Sequence, residues 1–271
     1  MCIAVFMWQA HPKYPLILLH NRDEFYSRPT EPLAWWGGDG SVLGGRDVVG
    51  GGTWLGCTKY GRVAFLTNFR EVHSLEHPKS RGDLPVSFLQ SNKSPQEFAE
   101  QVQKEAHLYN GFNLILVDIF SSTMVYVFNR PKQDQLSVTQ VTPGIHVLTN
   151  STLDAPWPKA ERLRHNFEEL VDQYGESEFP ITEMVERLMT NTIKDEECML
   201  PGIYPPAREL PLSSIFVETN LPTLGSYGTR SSSALFVKSN KEVSFYEKYL
   251  DQENWNEKMV TYQINVRHND Q

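Results

Sequence analysis

Cys2 stands directly behind Met1. Methionine aminopeptidases act only where the second residue is small, and cysteine qualifies. Removal of Met1 would leave a thiol and a free α-amine on one residue. An α-amine has a reference pKa of ~7.7–8.0, so near neutrality it can serve as the base for its own thiol. Taken alone, the residue is read more economically as a small apolar packer, the usual role of a free cysteine. The chemistry depends on what else the chain supplies. A thiol nucleophile needs a cation nearby, and Arg22 and Arg230 are candidates; with them close, the Cys2 pKa is expected below the ~8.5 reference. The amine needs a carboxylate to orient it, and Asp23 is available. A tetrahedral oxyanion needs neutral donors, which the amides of Asn68 and Asn150 can provide. Each of these residues separately has a structural explanation. Asn at strand ends is ordinary turn chemistry, and an Arg-Asp-Glu run is usually a solvated face or a local ion pair.

The elements that must hold these groups are mainly strands. The unbroken apolar run from Ile3 to Trp8 reads as a buried strand in the interior of a sheet. Residues 15–20 form its hairpin partner, and Asn21-Arg22-Asp23-Glu24 follows directly. Asn68 ends a strand over 62–67, Asn150 ends one over 145–149, and Arg230 precedes one over 232–237. Sites held by rigid scaffolds gather at such ends. Further strands are expected over 112–117, 123–128, 136–141, 243–249 and 259–266. Ser94-Pro95-Gln96-Glu97 carries an N-cap serine, a proline at the first helical position and a capping-box glutamate, so a helix runs to about 106. Helices also start at Pro158 and Thr182, with apolar residues at helical spacing. The glycine-rich tract 36–56 contains no GxxxxGK[ST] and is read as tight turns, or as backbone passing close to a ligand. The stretch 201–222 is a Pro-rich surface excursion.

Composition narrows the function classes. A net charge of −8 and a pI near 5.5 argue against a nucleic-acid partner. No apolar run is long enough for a transmembrane segment, and the N-terminal stretch lacks the basic leader and cleavage site of a signal peptide. Three cysteines build no disulfide framework and fit a reducing, cytoplasmic compartment. His73 and His77, the closest pair of histidines, have no third ligand nearby, so neither a metal nor another cofactor is expected. No composition shift or linker divides the chain, and a single domain over 1–271 is the economical reading.

Met1-Cys2, the Asn21-Arg22-Asp23-Glu24 quartet and Gly51-Gly52-Thr53-Trp54-Leu55-Gly56 together resemble the NRDE family, named after that quartet, which includes the transport and Golgi organisation (TANGO-type) proteins. The resemblance continues through Thr67-Asn68-Phe69-Arg70-Glu71 and Leu148-Thr149-Asn150 to Gly228-Thr229-Arg230. A more distant resemblance is to the choloylglycine hydrolase and penicillin acylase group of N-terminal-nucleophile amidases. It implies an α+β fold, a four-layer αββα sandwich of mainly antiparallel sheets. It also implies Cys2 as nucleophile, Arg22 and Arg230 as electrostatic partners, and Asn68 and Asn150 as oxyanion donors. Cys2, Arg22, Asn150 and Arg230 should then converge on one pocket. In those amidases the aspartate comes three residues after the arginine, whereas Asp23 follows Arg22 immediately; adjacent strand residues point to opposite faces. Two functions follow from the resemblance. One is hydrolysis of a non-peptide C–N amide through Cys2, on a small amphipathic or amide-containing ligand. The alternative is a non-catalytic carrier of lipid-, acyl-CoA- or haem-like molecules. The carrier would serve Golgi organisation, secretion, lipid homeostasis and haem trafficking, in association with the Golgi or mitochondria. A third reading, a structural partner in secretory traffic, makes the polar cluster a device for ordering loops.

Overall fold

The computed structural model describes residues 2–37, 41–130, 137–221 and 225–266. Met1, Leu136, Pro222 and the Gly38-Asp39-Gly40 part of the glycine tract lie outside the described residues. The chain forms two compact units that interleave in sequence.

The first unit opens with β1 (Ile3–Trp8), whose six residues are all buried, as an uninterrupted apolar run requires. β2 (Leu16–Phe25) pairs antiparallel with it, Ile3 opposite Asn21. This strand is longer than expected, because the 21–24 quartet lies within it.

From Pro29 to Thr142 the chain builds the second unit. Seven strands pair antiparallel, each with the next: β3 (Thr30–Trp36), β4 (Val42–Asp47), β5 (Leu55–Thr58), β6 (Arg62–Asn68), β7 (Phe112–Asp118), β8 (Thr123–Phe128) and β9 (Ser137–Gln140). α1 (Asp83–Gln90) and α2 (Pro95–Glu105) cover one face. Leu84, Phe88, Phe98 and Val102 pack there on Ala64, Leu114 and Val125. α2 starts with the expected capping box, Ser94 and Glu97 each accepting the other's backbone N–H. α1, not anticipated from the sequence, starts without a side-chain cap. A Cβ on Gly52 would fall 2.3 Å from the carbonyl carbon of Gly82, so the close neighbour of this glycine is the protein's own backbone. His73 and His77 lie in an exposed loop, and no cluster of metal-ligating side chains occurs among the described residues.

Cys57 on β5 is buried with the Tyr262 hydroxyl 3.2 Å from its sulfur, and burial pushes its thiol up to about 12. An unfolded thiol ionises near ~8.5. As pH rises between these values the unfolded chain releases a proton that the folded chain keeps, and stability falls. Urea denaturation at pH ~8 and ~10.5 should show wild type losing roughly 2 kcal/mol more than Cys57→Ala over that interval. Parallel losses would clear this thiol as the source.

At Pro143 the chain returns to the first unit. β10 (Gly144–Leu148) pairs with β1 on the edge opposite β2. α3 (Pro158–Tyr174) and α4 (Ile181–Met189) then cover one face of this sheet. Leu163, Phe167, Met184 and Leu188 pack on Ile3, Val5, Leu19 and Val147. The excursion over 201–222 includes a short helix, α5 (Pro206–Glu209), whose buried Glu209 accepts the backbone N–H groups of Gly202, Ile203 and Tyr204. β11 (Glu218–Leu221), β12 (Gly225–Val237), β13 (Glu242–Asp251) and β14 (Asn254–Gln263) complete the unit. The strand order is β10-β1-β2-β12-β13-β14, with β11 also on β12, so β1 is interior as expected. β12 begins well before residue 232; its polar first half pairs with residues 22–25 and keeps the quartet in the strand. Among the described residues no helix is long and apolar enough to cross a membrane.

Candidate functional site

Backbone register assembles the site. Ala4 lies opposite Leu148 and Ile3 opposite Asn21, so continuing the two ladders sets Cys2 between Asn150 and Arg22. On the far side of β2, Arg22 lies opposite Ser231. Directly opposed residues on antiparallel strands share a face. Cys2, Arg22 and Ser231 therefore form a row on one face of the sheet, away from α3 and α4, and Asn150, just past the end of β10, closes the row on the other side of Cys2. All four residues are buried.

Cys2 is 7% exposed. Burial pushes its thiol above the ordinary cysteine value, and the charge of Asp23 adds to that. The N-terminal ammonium, a hydrogen bond from the backbone N–H of Asp23 and the charge of Arg22 act the other way without overcoming it. The expectation of a lowered thiol is thus corrected: the arginine beside Cys2 is real, but desolvation is the larger effect.

Asp23 has the opposite orientation from Arg22, as alternation demands. Its backbone serves the sulfur, while its Oδ1 accepts from the Thr229 hydroxyl at 2.7 Å on the helix-covered face. Burial raises this carboxyl, against the pull of the N-terminal ammonium, then of the Lys159 ammonium and the Thr229 hydroxyl. Lys159 is the second residue of α3 and 1% exposed; its Nζ donates to the carbonyls of Leu212 at 3.0 Å and Ser214 at 3.5 Å. Tyr227, edge-on to Phe25, donates to the Asp23 carbonyl at 3.1 Å. Thr229 also accepts the Val217 N–H at 2.9 Å. Sequence reading passed over Lys159, Tyr227 and Thr229. For Lys159 one local signal existed, since a cation in the first turn of a helix opposes the macrodipole and needs a reason to be there.

Asn150 follows β10 in a loop held by Asp154. The Asp154 carboxylate contacts His146 Nδ1 at 2.7 Å, accepts the Val147 N–H at 2.9 Å and pairs with Arg164 of α3. Burial would raise its pKa, but these partners outweigh burial and hold it below the usual carboxylate value.

Arg230 occupies a register shift between Thr229 and Ser231. Its Nη1 donates to the carbonyls of Phe25, Tyr26 and Arg28 at 2.9, 3.0 and 3.1 Å, binding the chain where it leaves β2. Burial and then the charge of Arg22 lower its pKa, so the two guanidinium groups are electrostatic neighbours. The structure thus brings Cys2, Arg22, Asp23 and Asn150 together and places Arg230 at the adjoining bulge. Asn68 is the half-buried last residue of β6, in the second unit. A thiol flanked by a guanidinium and an amide, with a buried carboxylate behind it, has the groups that attack on a carbonyl carbon requires. The same donors could instead hold a ligand without turnover.

A family model for Transport and Golgi organisation 2 matches residues 1–252. The mouse Transport and Golgi organization 2 homolog is 32% identical over 282 residues, covering 98% of this chain and 100% of its own. The human Transport and Golgi organization protein 2 homolog is 33% identical over 267 residues, covering 92% of this chain and 93% of its own. Among solved structures, a cysteine-to-alanine variant of the conjugated bile acid hydrolase of Clostridium perfringens matches with a TM-score of 0.55. That match covers 98% of this chain and 97% of the hydrolase at 12% identity, which shows the fold alone. The fold is the α+β fold of the N-terminal-nucleophile hydrolases, with two mainly antiparallel sheets.

Proposed function

Since the chain belongs to the Transport and Golgi organisation 2 family and has an N-terminal-nucleophile hydrolase fold, we propose that it hydrolyses a non-peptide C–N amide through Cys2. The observation that carries this reading is the placement of Cys2 beside Arg22 by the β1–β2 register, with Asn150 just past the end of β10, all within one unit. The variant form of the bile acid hydrolase replaces a cysteine at its own second position, which draws attention to the same place here.

After removal of Met1, the α-amine of Cys2 takes the thiol proton and Sγ attacks the amide carbon. A raised thiol pKa makes that base necessary near neutrality. The oxyanion is held by the Asn150 amide, with Arg22 adding positive potential. As the tetrahedral intermediate collapses the C–N bond breaks, and the α-ammonium returns its proton to the leaving amine. Water, deprotonated by the same α-amine, then cleaves the thioester. Asp23 anchors the strand around the sulfur.

Intact-mass analysis tests the reading. Mature protein should lack one methionine residue. An amphipathic activated acyl donor, such as a long-chain acyl ester of p-nitrophenol, should leave an acyl adduct that Cys2→Ser lacks. A terminus that keeps Met1, or is acetylated, would sink the catalytic reading. The observation favouring the carrier alternative is the dominance of burial at Cys2, which disfavours the thiolate. On that reading a lipid-, acyl-CoA- or haem-like ligand binds equally well to wild type and Cys2→Ser. The name shared by the relatives points to a role beside the Golgi, which fractionation of tagged full-length protein would check.

A further inference from the structure

Ser231 stands in the same row as Cys2, on the far side of Arg22, and has no role in the chemistry above. Its side chain is 3% exposed, and its Oγ has no hydrogen-bond partner among the described residues. Burying a hydroxyl without a partner is unfavourable, so a native structure that does so calls for a reason. The adjacent Arg230 presents a second donor in the same condition: its Nε–H is buried without an acceptor, although Nη1 is fully engaged with backbone carbonyls. Both residues lie at the bulge of β12, beside the buried Arg22 guanidinium.

We propose that Ser231 is a ligand-recognition residue of the Cys2 site, its hydroxyl donating to an anionic oxygen of the ligand. The inference rests on the reading of Cys2 as the reacting group. Neighbouring strands are ~4.8 Å apart, so the backbone of Ser231 lies two spacings, roughly 10 Å, from that of Cys2. That is too far for the carbonyl under attack. It suits a group several bonds away on the same molecule. The ligand then lies across β1, β2 and β12 along the hydrogen-bonding direction, its reacting carbonyl between Asn150 and Cys2 and its anionic end at Ser231. Arg22 between them favours a charged acceptor over a neutral one, because hydrogen bonds to ionised groups are the stronger kind.

Two iodoacetamides of equal length test this on full-length protein carrying Cys198→Ser, which removes the exposed thiol. One is N-iodoacetyl-γ-aminobutyrate, with a terminal carboxylate; the other is its neutral primary amide. Each alkylates Cys2 by displacing iodide, and the rate is followed by intact mass and peptide mapping. Wild-type Ser231 should give a preference for the carboxylate probe, and Ser231→Ala should reduce that preference about tenfold, the factor of one charge-assisted hydrogen bond. Ser231→Thr, which keeps the hydroxyl, should retain it. Thermal stability of Ser231→Ala should be unchanged or higher, whereas a structural hydroxyl would lower it and slow both probes together. The same probe preference in wild type and Ser231→Ala would overturn the role of Ser231 while leaving Cys2 as the reacting group. Failure of both probes to label Cys2 in wild type would overturn the underlying reading and this inference with it.

Discussion

Replacing Lys159 with methionine should destabilise the chain by about 3–5 kcal/mol, the range for breaking a buried ion pair from one side. The ammonium is 1% exposed, acts on the buried Asp23 carboxylate and donates to two carbonyls of the 212–214 segment. Methionine fills a similar volume but removes one of the positive charges that act on Asp23. Burial already raises the Asp23 carboxyl. Without Lys159 it rises further, so the folded variant retains a proton at pH values where the unfolded chain, with an aspartate near ~3.9, has released it. The deficit therefore grows as pH rises above that value and shrinks as pH falls. Urea denaturation at pH ~4.5 and ~7.5 would show this, and Lys159→Met combined with Asp23→Asn should recover part of the loss. A deficit below ~1 kcal/mol, or one independent of pH, would mean that Lys159 merely packs.

Gly228→Ala should be nearly as damaging, by about 3 kcal/mol, at the upper end of what overpacking costs. A Cβ at this position would lie 2.3 Å from the carbonyl oxygen of Val217 and 3.1 Å from its carbonyl carbon, both backbone atoms without freedom to yield. That carbonyl accepts the Thr229 N–H at 2.7 Å, and Gly228 pairs with Glu218. Relief of the clash must separate β11 from β12 and draw the Thr229 hydroxyl away from Asp23. Hydrogen exchange should accelerate at the amides of Val217 and Thr229, and labelling of Cys2 should change although residue 228 is outside its row. Native exchange rates at these two amides would show that β11 absorbs the methyl group without consequence.

What local sequence could carry, it carried accurately. The apolar run behind Cys2 forms an interior strand because nothing in it tolerates water on either face. Ser94 and Glu97 start α2 because each cap satisfies a donor within three residues. The opposite facing of Arg22 and Asp23 also follows from alternation alone, since β2 stays extended through Phe25. Nomination of Cys2, Arg22 and Asn150 needed only residue types and their order.

Other features depend on residues far apart in the chain. The first half of β12 holds 22–25 in the sheet, and a serine 209 positions after Arg22 cannot be placed opposite it from local pattern. Lys159 looks like any solvated lysine until α3 docks over the strands and the 212–214 carbonyls close on its ammonium. The Cys2 thiol is governed by desolvation, and desolvation depends on everything packed around the sulfur, whereas nearby arginines can be counted in a sequence. Residue order was enough to nominate the chemistry. Only long-range pairing and burial decided which face each group takes, which charges neutralise one another, and how firmly the thiol keeps its proton.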